Sequence, residues 1–311
     1  MNSNLLNDEL TNFRYDFNFF VKLYVNNKFP QALILSGENG SGKLNFIYHF
    51  VNFILSINDE YKYDLKNYKI NSMSKTYKLL SQDTHPNLFF VSPNQNKKVI
   101  EIIQIKKMQE FLNTSTFNKL PKIVLINKCE TLNISSSNSL LKSLEEKYEN
   151  VYFILIHNNK KNLLTTIKSR CVQFKLFLTN EEKIKKIEEI INDQYHLLNL
   201  DFRDKYLSLN FYRDLQNYCI DNNLDIKKID LNDLFLNIFT KHNFKKNEFI
   251  SNNLFLLIQL FLYKSFKNKL NNEKYISLLK YFSKRFKDIN KYNLDLESLV
   301  LEFKYLIYDK K

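Results

Sequence analysis

All three glycines of this 311-residue chain, Gly37, Gly40 and Gly42, fall in one stretch, Ser36-Gly-Glu-Asn-Gly-Ser-Gly-Lys43. A chain that avoids glycine everywhere else and spends three of them here needs backbone freedom at that place. Before the stretch, residues 31–36 form an apolar run of strand length; after it, residues 44–55 carry apolar side chains at helical spacing. Strand, glycine loop and helix together are the context of a P-loop, in which backbone N–H groups turn inward to cradle phosphates and the helix N-terminus adds partial positive charge. Lys43 would face the β and γ phosphates. The residue after it, where a Ser or Thr hydroxyl ligates Mg²⁺ in a working site, is Leu44.

A second buried strand is expected at 123–126, bounded by Pro121-Lys122 and Asn127. In an active P-loop ATPase such a strand ends in an Asp that holds Mg²⁺ and commonly a Glu that orients the attacking water. Asn127 and Lys128 stand in those places. An amide carries no charge with which to hold the metal, and an ammonium group is no base beside phosphates. With Leu44, three positions needed for hydrolysis are lost, and the chain is expected not to hydrolyse ATP. Glu130, three residues beyond the expected metal ligand, reads as structural, with a displaced carboxylate as the alternative.

The net charge is +13, which invites a nucleic-acid reading. Lys, Asn, Ile, Phe and Tyr are all abundant while Gly, Pro and Trp are scarce, and an AT-rich genome would impose that bias on any protein, so the charge is given no specific meaning. The three cysteines, Cys129, Cys171 and Cys219, are odd in number and far apart, which fits neither a disulfide framework nor a zinc knuckle. Apolar segments such as 250–266 are interrupted by Asn, Gln or Lys, and Asp8 and Glu9 interrupt any signal-peptide core. A cytoplasmic protein is expected.

His85-Pro-Asn-Leu-Phe-Phe-Val91, residues 100–112, residues 122–132, Ser135-Ser-Ser-Asn-Ser-Leu-Leu-Lys-Ser-Leu-Glu-Glu146, residues 151–157 and Thr166-Ile-Lys-Ser-Arg-Cys171 follow one another. In this order they resemble the clamp-loader subunits of bacterial DNA polymerase III, which are AAA+ proteins. The resemblance is strong over residues 28–178 and general beyond. Because Leu44, Asn127 and Lys128 depart from the motor subunits, the chain resembles the degenerate, delta-prime class. The resemblance implies an α/β fold: a AAA+ P-loop parallel-sheet domain (1–178), then a small helical lid (179–223) and a C-terminal all-α collar (224–311).

It also implies that Arg170, flanked by Ser169 and Cys171, enters the ATP site of an adjacent motor subunit as an arginine finger. A planar, permanently charged guanidinium suits that task, binding phosphate oxygens in fork geometry. ATP and Mg²⁺ would be bound by that neighbour, while nucleotide binding at Gly37, Gly40, Gly42 and Lys43 of this chain is doubtful. Implied partners are the gamma/tau motor and delta subunits, the sliding clamp and, through the assembly, primed DNA. Lys97 and Lys98 precede a helix whose counterpart in clamp loaders tracks the DNA backbone; a solvated basic loop is the plainer reading, and the same holds for Lys106, Lys107 and Lys142. Asn158 follows a strand at the place of the γ-phosphate sensor, with little to sense once the metal ligands are gone. Many relatives carry a four-cysteine zinc module where residues 56–84 here contain no cysteine, so no zinc is expected.

Beyond 178 the pattern turns helical, with Thr179-Asn-Glu-Glu182 as a cap and amphipathic segments at 231–240, 250–266 and 275–286. His85 reads as a structural histidine, and a sensor role cannot be assigned to Arg213, because residues 208–213 lack the glycine turn of relatives. Three other functions compete: an active motor ATPase, which needs the missing Mg²⁺ ligands; a nucleotide kinase, which needs a hydroxyl after Lys43 and clamping arginines; and a charge-driven DNA-binding bundle.

Overall fold

A computed structural model describes residues 7–94, 98–114, 118–158, 163–204, 206–240, 247–266, 273–292 and 294–308. The chain forms two compact units, Met1–Thr179 and Asn180–Lys311.

The first unit is built on five strands: β1 (Ala32–Gly37), β2 (Leu88–Val91), β3 (Lys122–Ile126), β4 (Val151–His157) and β5 (Val172–Leu176). They pair in parallel in the order β2-β3-β4-β1-β5. Helices α1 (Arg14–Val25), α2 (Lys43–Leu55), α3 (Lys75–Ser81), α4 (Ile102–Leu112), α5 (Ile134–Glu145) and α6 (Thr165–Ser169) complete the unit. The alternation of strand side chains splits the core into two layers. Leu33, Leu35, Ile123, Leu125, Ile154 and Ile156 share one layer with the aromatic faces of α1 and α2. Ala32, Ile34, Val124, Ile126, Phe153 and Leu155 share the other with α4, α5 and α6. In the first layer Phe20 of α1 meets Phe46 and Phe50 of α2 edge-on, with centroids 5.2 and 5.5 Å apart, the geometry that aromatic quadrupoles prefer. The expected α/β parallel-sheet fold is thus present.

Lys122 does not bound its strand as the sequence suggests but is the first residue of β3, with 1% of its surface exposed. Its Nζ donates to the carbonyl oxygens of Phe111 (2.6 Å), Leu112 (3.2 Å) and Thr114, and to Thr114 Oγ1 (2.9 Å). These groups close the C-terminal end of α4, where the helix leaves carbonyls unsatisfied and where positive charge is favoured.

Residues 56–84 are held by oxygen chemistry. Asp59 accepts from Ser74 Oγ (2.6 Å) and Thr76 N (2.8 Å), and Ser74 caps α3. Against the upward push of burial, these bonds hold the Asp59 carboxyl below its usual range.

The second unit is helical: α7 (Asn180–Ile191), α8 (Leu209–Asp221), α9 (Leu231–Thr240), α10 (Glu248–Phe266), α11 (Glu273–Tyr292) and α12 (Leu296–Phe303). Helix α8, capped by Ser208, packs against both α7 and α10. Arg213 lies on its exposed side. Phe235, Phe261, Phe282 and Phe303 form the aromatic centre. The stretch Phe249–Phe266 of α10 is long and apolar enough to span a membrane by length and composition. Its Leu254, Leu257, Ile258, Phe261 and Leu262 are buried in this unit, as in a core helix of a folded domain.

Candidate functional site

The glycine loop connects the end of β1 to the start of α2. Gly40 and Gly42 have φ of 85° and 97°, in the left-handed region that side chains resist. Gly37 is required for another reason: a methyl group there would lie 2.8 Å from the carbonyl oxygen of Leu176 on β5. The sheet places this loop at the end of β1 where strand order reverses in sequence, the position at which open α/β sheets bind ligands.

Lys43 is 3% exposed and folds back onto its own loop, Nζ donating to the carbonyl oxygens of Gly37 (3.0 Å) and Glu38 (2.6 Å). Burial lowers its pKa to about 8, opposed by the charges of Glu130 and then Glu38. The hydroxyl of Ser41 is buried and has no hydrogen-bond partner among the described residues. Leu44 packs against the aromatic layer of the core.

At the end of β3, Asn127 donates its backbone N–H to Val91 (2.8 Å), and Lys128 turns the chain with φ of 56° into a single turn at Cys129–Thr131. That turn delivers Glu130 to Asn158: Oε1 accepts from Nδ2 at 3.1 Å and Oε2 from the backbone N–H at 3.3 Å. Because Ser36 pairs with His157 in the β1–β4 register, Asn158 lies at the level of Gly37. Sequence reasoning set Glu130 aside; the structure brings it to Asn158, level with the glycine loop. The fit for a metal nucleotide is poor. The positions that would supply Mg²⁺ with a hydroxyl and a carboxylate hold Leu44, Asn127 and Lys128, and among the described residues no group of three His, Cys, Asp or Glu side chains comes together.

Ser169 ends the short helix α6, Arg170 is its C-cap, and Cys171 leads into β5. Ser169 Oγ donates to the carbonyl of Thr166 (3.0 Å). Cys171 is buried in the second core layer, and burial pushes its thiol up to about 11. Between these two anchors Arg170 points outward, 36% exposed, with Nη1 on the carbonyl of Thr166 (3.0 Å) and Nη2 on Glu145 Oε1 (2.5 Å) at the end of α5. A cavity of about 320 Å³ opens beside it, lined by Pro30, Gln31, Leu144, Phe153, Ser169 and Arg170 among others. The Ser-Leu-Glu-Glu end of α5 thus touches the arginine directly, a contact no sequence spacing discloses.

Lys98 is exposed ahead of α4, in a turn with φ of 52°; Lys97 lies outside the described residues. Helices α4 and α5 begin side by side: Ser136 Oγ donates to the carbonyl of Ile100 (3.0 Å), and Glu101 with Gln104 forms a capping box on α4. Lys106, Lys107 and Lys142 are exposed. His85 is buried, its Nδ1 accepting the Asn87 N–H at 3.2 Å, and burial lowers its pKa to about 4, which is structural behaviour.

Comparison with known proteins places these features in context. Residues 15–179 match the family described as DNA polymerase III, delta subunit. The DNA polymerase III subunit delta' of Pseudomonas aeruginosa is 37% identical over 99 residues, which cover 32% of this chain and 30% of that protein. The subunit of the same name from Buchnera aphidicola subsp. Acyrthosiphon pisum is 25% identical over 287 residues, 88% of this chain and 84% of its own length. Among solved structures, a DNA polymerase III gamma subunit-related protein of Thermotoga maritima aligns over 91% of this chain and 95% of its own, at 19% identity and a TM-score of 0.44.

Proposed function

The chain belongs to the DNA polymerase III delta subunit family, and from that premise we propose that it is a non-hydrolysing clamp-loader subunit of the delta-prime kind, lending Arg170 to the ATP site of a neighbouring motor subunit. The observation that carries this reading is the pairing of a P-loop lacking metal ligands with an arginine held outward on a rigid turn. Leu44 is committed to the core and Asn127 and Lys128 replace two carboxylates, so ATP and Mg²⁺ belong to the neighbour. Arg170 meets the requirement of an arginine finger: a fixed, permanently charged fork whose backbone is anchored from both sides by Ser169 and Cys171.

In this reading the partners are gamma/tau motor and delta subunits, with the sliding clamp and primed DNA engaged through the assembly in the cytoplasm. Residues 179–223 serve as the lid of the AAA+ unit and 224–311 as the collar that joins subunits. Lys98 and Lys97, ahead of α4, contribute positioning contacts to phosphate at most. The test is a steady-state ATPase assay on the purified chain and on the reconstituted assembly. The chain alone should show no turnover above background, and its addition to motor and delta subunits should raise DNA-stimulated turnover. Mg²⁺-dependent hydrolysis by the purified chain would reject the reading.

A further inference from the structure

The P-loop cleft contains an anion of its own. In a nucleotide-loaded P-loop site the terminal phosphates are met by the P-loop lysine, and Asn158 ends the strand beside this loop, at the level of Gly37. Here the backbone N–H and the side-chain amide of Asn158 both donate to one carboxylate, Glu130, at 3.3 and 3.1 Å. The strand register fixes that contact at the level of Gly37. Lys43 is drawn down onto the carbonyls of Gly37 and Glu38, leaving its ammonium against its own loop. Lys128, in the left-handed conformation, is what turns the chain so that Glu130 comes back toward the cleft.

We propose that Glu130 is a built-in competitor for nucleotide: its carboxylate occupies the donors and offsets the positive charge that a terminal phosphate would use, so nucleoside polyphosphates bind this loop only weakly. The proposal deepens the reading of the chain as a non-hydrolysing subunit and rests on it in one respect, that the loop is retained for its shape. Any incoming phosphate must displace Glu130 from Asn158 and then share the cleft with a negative charge in a partly desolvated place, where like charges repel strongly. Glu130→Ala removes both obstacles; Glu130→Gln keeps the size and one acceptor oxygen for Asn158 while removing the charge.

The experiment is a titration of the full chain and both variants with fluorescent ADP and ATP analogues, in Mg²⁺ and in EDTA, with ATP hydrolysis followed in the same samples. Glu130→Ala should tighten binding by at least about tenfold, which corresponds to 1.4 kcal/mol. Glu130→Gln should lie between it and the unmodified chain, with little dependence on Mg²⁺. Adding Lys43→Met to Glu130→Ala should abolish the gain, locating it in the P-loop. Equal affinity of the unmodified chain and both variants overturns the proposal, and because the glutamine variant is nearly isosteric, a folding defect in the alanine variant does not shield it. Hydrolysis appearing in a variant is a separate outcome: with tightened binding it sustains Glu130 as competitor and counts against the loss of metal chemistry in the reading above.

Discussion

Removing the ammonium of Lys122 while keeping its length should be one of the most damaging single changes available in the first unit. The side chain is 1% exposed and its Nζ serves the carbonyls of Phe111, Leu112 and Thr114 and the Thr114 hydroxyl. In Lys122→Met the stem still fills its channel, so no large cavity opens. What is lost is a charge at the C-terminal end of α4 and the donors for its last carbonyls. Hydrogen bonds to a charged group contribute about 1.5–3 kcal/mol each, and a carbonyl left buried without a donor costs about 1–3 kcal/mol. Thr114 is exposed, so water can replace the ammonium there, and relief from burying the charge offsets part of the remainder. The net loss should be about 3 kcal/mol, which in a body of this size lowers Tm by roughly 6–12 °C. Thermal unfolding followed by circular dichroism measures the shift, and amide exchange at residues 110–113 should accelerate with it. A Tm change under about 2 °C would refute the argument that Lys122 closes α4.

Two further perturbations test other parts of the fold. Gly37→Ala would press a methyl group against the Leu176 carbonyl at 2.8 Å, a backbone atom that yields only if the β1–β5 pairing shifts; the urea midpoint should fall by an amount equivalent to about 1–3 kcal/mol. His49 and His85 are buried, and burial lowers the pKa of each to about 4 from an unfolded value of 6.5. The unfolded chain therefore binds more protons between those values, so the stability they contribute is complete above pH 6.5 and is lost as pH falls toward 4, by at most about 3 kcal/mol per histidine at the limit. Urea midpoints measured from pH 7 to pH 4 should show the decline, and His49→Gln, which keeps a hydrogen-bonding group near Tyr63 and Asn7, should flatten it.

The parts of this molecule that were legible in sequence are those whose signal is local. Residues 31–36 and 44–55 flank the glycines, and β1 and α2 follow within a residue of those bounds. Residues 231–240 match α9 at both ends, because an amphipathic period carries its own limits. Strand β5 was less legible: Val172, Gln173 and Lys175 are exposed at the sheet edge, so the apolar run that marks a buried strand is missing. Lys122 reads as a strand boundary because nothing near it in sequence announces the carbonyls it satisfies; they come from the preceding helix end. The same limit hid the contacts of the site. Asn158 and Glu130 are joined by the pairing of β3 with β4 and a left-handed turn at Lys128, and Glu145 reaches Arg170 through the packing of α5 beside α6. The glycine spacing disclosed the P-loop and the family resemblance pointed to Arg170, but neither disclosed the carboxylates that contact Asn158 and Arg170.

The measurement that bears most directly on the proposed role is ATP turnover by an assembly of this chain with motor and delta subunits, comparing the unmodified chain with Arg170→Ala. The variant should still assemble, since the Arg170 side chain is partly exposed and its ion pair with Glu145 contributes at most about 1 kcal/mol. Turnover at the site Arg170 serves should fall by about 10³-fold or more, and Arg170→Lys should not restore it, because an ammonium cannot reproduce the fork. Undiminished DNA-stimulated turnover in an intact Arg170→Ala assembly would contradict the account.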